Sequence, residues 1–173
     1  MDDISVLMAV GVRSVPPSVR RLVTLEGSDY ADYFVASASG ASRHSAEHWA
    51  RTILEGTATG RSAPKLWRLL GLQLGPAHSP DHVQGWHITG RGDDWLRAET
   101  SSWYMTAQAI VSVDGDEVSL ALFLRFDRPV ARVVWAPVGV LHRRGVPAML
   151  RQAVRAGRPE ARQPAALNGV PVG

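Results

Sequence analysis

The chain of 173 residues predicts an α+β protein in which helices pack on one face of an antiparallel sheet. Three observations lead there. Residues on both sides of Asp114-Gly115 alternate apolar and polar for a full strand length. After Asp127-Arg128-Pro129 the period changes from 2 to 3.6. Two shorter helical patterns lie upstream, between Ser45 and Gly71.

Taken in order, residues 1–26 carry little pattern beyond the break at Pro16-Pro17, and they are expected to form an N-terminal arm with at most one short strand. Tyr33, Phe34 and Val35 favour a strand over 30–36, which Gly40 and Ser42 end. Ser45 suits an N-cap and Glu47 the positive end of a helix. Trp49, Ile53 and Leu54 supply helical spacing, and Gly56 stops it. Residues 57–62 read as a loop. Pro64 then fits the first turn of a second helix with Leu66, Leu69 and Leu70 as its apolar stripe. A Pro- and Gly-containing loop leads to a strand at 86–89. With Arg91-Gly92-Asp93 as a three-residue loop, Ile88 faces Leu96 and Trp86 faces Ala98.

The next hairpin is the clearest element. Asp114-Gly115 suits a two-residue turn, which places Val113 opposite Asp116, Val111 opposite Val118, Ala109 opposite Leu120 and Ala107 opposite Leu122. Outward from there, Met105 faces Leu124 and Trp103 faces Phe126. That face is apolar throughout. The other carries Ser112, Gln108, Thr106 and Arg125 and is expected to meet water. A long final helix follows, with Val130, Val133, Val134, Pro137, Val138 and Leu141 on one face and Met149, Leu150, Ala153 and Val154 continuing it. Pro137 and Pro147 are expected to kink or interrupt that helix. The tail, 157–173, is rich in Pro, Ala and Gly and is expected to be disordered. One domain, residues 27–156, remains between arm and tail.

Composition bounds the function. There is no cysteine, so disulfides and thiolate chemistry are excluded. The apolar run at 6–12 is too short to span a bilayer, and the acidic start Met1-Asp2-Asp3 does not suit a signal peptide. The chain therefore reads as soluble and cytoplasmic. From Arg128 onward there are eight arginines and one acid, a net of +7, leaving −4 for the rest against +3 overall. A basic C-terminal face follows. Its arginines lack interleaved aromatics, so nucleic acid is not an expected partner.

No motif for a cofactor or metal emerges. His44 and His48 are four apart, as are His78 and His82, but His44 precedes the helix cap, Pro80 interrupts the second pair, and no third ligand lies near. The stretch 56–62 has glycines one residue too close, and arginine where a phosphate loop needs lysine. No Gly-x-Ser-x-Gly elbow exists. The polar candidates for proton transfer are His142, after the Pro137 turn, and Glu99, on a strand near the expected cavity wall. Six tryptophans are many for this length, and aromatic side chains dominate pockets as well as cores.

A family resemblance rests on Asp29-Tyr30-Ala31-Asp32, the 45–54 helix with Trp49 and Ala50, the run Leu66-Trp67-Arg68-Leu69-Leu70-Gly71, and above all residues 137–150, from Pro137-Val138-Gly139 through His142-Arg143-Arg144 to Met149-Leu150. Over about residues 28–156 the chain resembles the bacterial domain-of-unknown-function family 2867 (DUF2867) of the START-like (SRPBCC) superfamily. Where members carry a charged strand, this chain has Glu99-Thr100-Ser101-Ser102-Trp103-Tyr104-Met105. The resemblance implies a helix-grip fold, with a curved antiparallel sheet around a long C-terminal helix and a cavity between them. It implies no reaction.

The function expected from residues and resemblance together is binding of a small hydrophobic or aromatic molecule in that cavity. Trp86, Trp103, Met105, Leu122, Leu124 and Trp135 are its expected walls, and His142 its polar anchor. The alternatives are a cyclase- or hydratase-like enzyme using His142 or Glu99 in the same cavity, and a protein-interaction module with a filled core.

Overall fold

A computed structural model describes residues 4–76 and 79–157. Its strands are β1 (Val6–Val10), β2 (Tyr30–Ser37), β3 (His82–Val83), β4 (Trp86–Arg91), β5 (Trp95–Ser101), β6 (Thr106–Asp114) and β7 (Glu117–Arg125). Its helices are the single turn α1 (Pro17–Arg20), α2 (Ala46–Arg51), α3 (Ala58–Leu69) and α4 (Val130–Gly157). A wider π turn, Thr52–Gly56, joins α2 to α3. All strands form one antiparallel sheet in the order β1-β2-β7-β6-β5-β4-β3. The α+β expectation holds, with α2, α3 and α4 on one face. Among the described residues no helix is long and apolar enough to cross a membrane. Of the expected tail, only Gly157 falls within them.

The β6–β7 hairpin keeps its expected faces but not its expected pairs. Asp114 opposes Glu117, Val111 opposes Leu120 and Ala107 opposes Leu124, so the loop is Gly115-Asp116. Gly115 alone takes a positive φ, 56°, the first loop position, where a type II′ turn favours glycine. Asp116 is drawn into the loop because its carboxylate and its carbonyl accept from the backbone N–H groups of Gly40 and Ala38. Moving a loop by one residue changes every pair by two, so no side chain changes face. The β4–β5 pair behaves alike. Ile88 opposes Ala98 rather than Leu96, with a bulge between Ile88 and Gly90.

The face expected to meet water is covered. Val15, Val19 and Leu25 bury Ile110, Ala121 and Phe123 beneath them. The polar residues there bond within the protein. Gln108 accepts from the Thr24 N–H and donates to Thr24 Oγ1 and Glu99 Oε2, Thr106 donates to Asp127, and Ser112 bonds Ser119. The stretch expected to be an arm thus supplies β1, paired along its length with β2, and the lid of the sheet's back.

Two helices differ from expectation. α3 begins at Ala58, capped by the Thr57 hydroxyl accepting from the Gly60 N–H, so the expected loop is helix and Pro64 is interior. Leu69, expected in its stripe, is 83% exposed, and Trp67 packs inward instead. α4 runs unbroken for 28 residues through Pro137 and Pro147. Pro137 frees the carbonyl of Val133, and Val133 is on the solvent side of the helix. The first half of α4 is also turned by about one residue, roughly 100°. Ala131, Trp135, Val138 and Gly139 are buried, while Val133 and Leu141 are exposed. Trp135 gains the core, and Gly139 leaves room for it: a Cβ there would lie 3.0 Å from Trp135 Nε1.

Candidate functional site

Alternation along β2 sends Tyr30, Asp32 and Phe34 to the helix face, under α4. Asp32 is fully buried and carries the charge of the site. The Tyr30 hydroxyl donates to Asp32 Oδ2 at 2.7 Å and accepts from the Arg143 guanidinium at 3.0 Å. His142 Nε2 lies 3.3 Å from both carboxylate oxygens. A buried carboxylate needs such partners, since desolvation disfavours an unpaired charge. Phe34 and Trp135 flank the imidazole edge-on or tilted, with centroids 5.9 and 5.6 Å away. Burial, and then the Asp32 charge and hydrogen bond, push the Tyr30 phenol up to about 12, so it stays a donor at neutral pH.

A carboxylate only accepts, so the bond to Asp32 places a proton on His142 Nε2, and in the neutral form of the ring the lone pair is then on Nδ1. Among the described residues nothing donates to Nδ1. The ring borders a cavity of about 60 Å³ between the sheet, α3 and α4, lined by Trp67, Gln84, Trp86, Leu122, His142 and Met149 among others. Trp67, His142 and Met149 also line a surface groove of about 370 Å³ between α3 and α4. They therefore stand between the two spaces.

The cavity is almost wholly apolar, with two polar exceptions besides His142. The indole N–H groups of Trp67 and Trp86 are buried without an acceptor, as is that of Trp135 beside the cavity. Gln84 closes one end. It has a positive φ of 54°, and its side-chain amide donates to the carbonyls of Leu54 and Gly60.

Of the expected site residues, Trp86, Leu122 and His142 line the cavity. Met105 and Leu124 are buried on the same side but belong to the solid core. Trp135 packs edge-on against Tyr30, with ring centroids 5.3 Å apart, next to His142. Two expectations are corrected. Trp103 is 66% exposed, because Ser102 ends β5 by bonding the N–H groups of Tyr104 and Met105, and a turn replaces the expected strand. Arg128 lies over its ring at 5.6 Å. Glu99 faces the back of the sheet, bonded to Gln108, away from the cavity. Residues 86–101 alternate, so Glu99 cannot share a face with Ala98. Asp32, Trp67 and Gln84 were not anticipated. A carboxylate between Tyr30 and Phe34, at the period of a buried face, was the signal for Asp32.

Comparison of the chain with known family models, curated proteins and solved structures returns no match.

Proposed function

We propose that the protein binds a small, mainly apolar molecule carrying a hydrogen-bond acceptor, held between the sheet and α4 in a helix-grip arrangement like that of the DUF2867 resemblance. The observation that carries this reading is that Trp67 and Trp86 line one apolar cavity and that the indole N–H of each is buried without an acceptor. A buried donor left unpaired costs about 1–3 kcal/mol. A ligand acceptor restores that bond in a setting where water competes poorly. The cavity is smaller than the roughly 300 Å³ of common ligand pockets, and the adjoining groove, which shares Trp67, His142 and Met149 with it, extends the space a ligand takes.

Cyclohexanone and methylenecyclohexane test it, since they share shape and differ in the acceptor. Titration followed by tryptophan fluorescence is expected to give saturable binding of the ketone and affinity for the alkene at least about tenfold weaker, the worth of one such hydrogen bond. Equal affinities, or no saturable signal, would refute the reading.

A further inference from the structure

We propose that this site also removes a proton from the carbon next to a bound carbonyl group, with His142 as the base. The inference rests on the binding reading and goes beyond it to a reaction.

The cavity lining contains no serine, threonine, cysteine, lysine or carboxylate. Apart from His142 it offers no nucleophile for covalent catalysis. It does offer the two components that enolisation needs. One is the His142 Nδ1 lone pair, on a ring oriented from behind by buried Asp32. The other is the presence in the same lining of Trp67 and Trp86, whose buried indole N–H groups have no acceptor in the protein and become oxyanion donors where they turn to the bound oxygen.

The step balances without a co-reactant. Nδ1 takes the proton, the C–H pair becomes the C=C bond of an enolate, and the carbonyl π pair moves onto oxygen. The indole N–H groups stabilise that oxyanion. The imidazolium formed is stabilised by Asp32 through Nε2–H. Exchange of the Nδ1 proton with solvent, followed by reprotonation of the same carbon, gives isotope exchange, and reprotonation at a conjugated carbon shifts a double bond. The substrate class is a small apolar ketone. His142 is the catalytic residue. Asp32 does not reach the ligand and is a positioning residue, as is Tyr30 behind it.

Deuterium exchange at the α-carbons of cyclohexanone in D₂O, followed by proton NMR, tests this. The intact chain is expected to exchange about a hundredfold faster than buffer alone, the lower range for a positioned general base. His142→Gln is expected to return to the buffer rate when assayed at ketone concentrations that saturate the variant in a parallel fluorescence titration. Asp32→Asn is expected to slow exchange at least about tenfold. It should also displace the midpoint of the pH–rate profile, which loss of packing alone would not do. If the ketone binds and exchange stays at the buffer rate, the catalytic proposal falls and the binding reading stands. If His142→Gln exchanges as fast as the parent, the base is misassigned and the proposal falls. If cyclohexanone does not bind at all, both fall together.

Discussion

Gln84 Nε2 donates to the carbonyl of Gly60 at 2.6 Å, and Gly60 is the residue whose carbonyl Pro64 leaves without a helical donor. One amide thus repairs the defect of an interior proline four residues on. It also reaches the Leu54 carbonyl in the π turn, while the Gln84 backbone N–H donates to Glu55. Gly60 permits the approach, since a Cβ there would meet the Leu54 carbonyl at 2.4 Å.

Gln84→Met is therefore expected to destabilise the fold by about 2 kcal/mol, the range for orphaning buried polar groups. In Pro64→Ala the helix again supplies a donor to Gly60, so the loss in the double variant should be smaller than the sum. Urea denaturation of the four proteins of this cycle measures it. Strict additivity would mean that Gln84 does not act on the carbonyl that Pro64 frees.

The rotation of α4 makes a second pair of predictions. Met149→Ala should cost about 2–5 kcal/mol and Leu141→Ala less than about 0.5 kcal/mol, since Met149 is buried and Leu141 is 59% exposed. Denaturant midpoints decide it. A large loss at Leu141 would return that residue to the core, as its sequence pattern suggests.

The covered back of the sheet predicts that Phe123→Ala is severe, about 3–5 kcal/mol, because Phe123 is 1% exposed under the 15–25 segment. Val19→Asp should be comparably damaging, as it places a charge in that same layer. Mild effects at both sites, read by thermal unfolding, would mean that the segment does not dock.

The three tyrosines should ionise late. Burial raises all three phenols, and Tyr30, beside Asp32, is raised the most, to about 12. Tyrosinate absorbance should grow above pH 10, with a last transition that Tyr30→Phe abolishes. A folded pKa above the unfolded value means that the folded state retains the proton longer. The stabilisation is complete below pH 10 and is lost as pH rises through about 12. A Tyr30 midpoint near 10 would show that the phenol is not held against Asp32.

Much of the architecture was legible because it rests on local rules. Alternation located β6 and β7, Ser45 capped α2 as its side chain allowed, and His142 was singled out before its partner was known. What was not legible depends on distant contacts. The hairpin loop follows from Asp116 reaching Gly40, 76 residues away in sequence. The back of the sheet looked wet because Gln108 and Thr106 are polar, yet their partners come from Thr24 and Asp127. The turn of α4 follows from a bond between residues 110 apart, Asp32 and His142, that outweighs burial of Val133. Trp103 sat in register with an apolar face, and one capping serine removed it from the strand.

Trp67 and His142 belong at once to the inner chamber and to the open groove. On the binding reading, a guest that enters through the groove displaces them to pass, and capture is a two-step event with a gated first stage. Observed association rates would level off at high guest concentration, at the frequency with which these side chains swing. The affinity measured at equilibrium would understate the grip of the opened form by the fraction of molecules that are open.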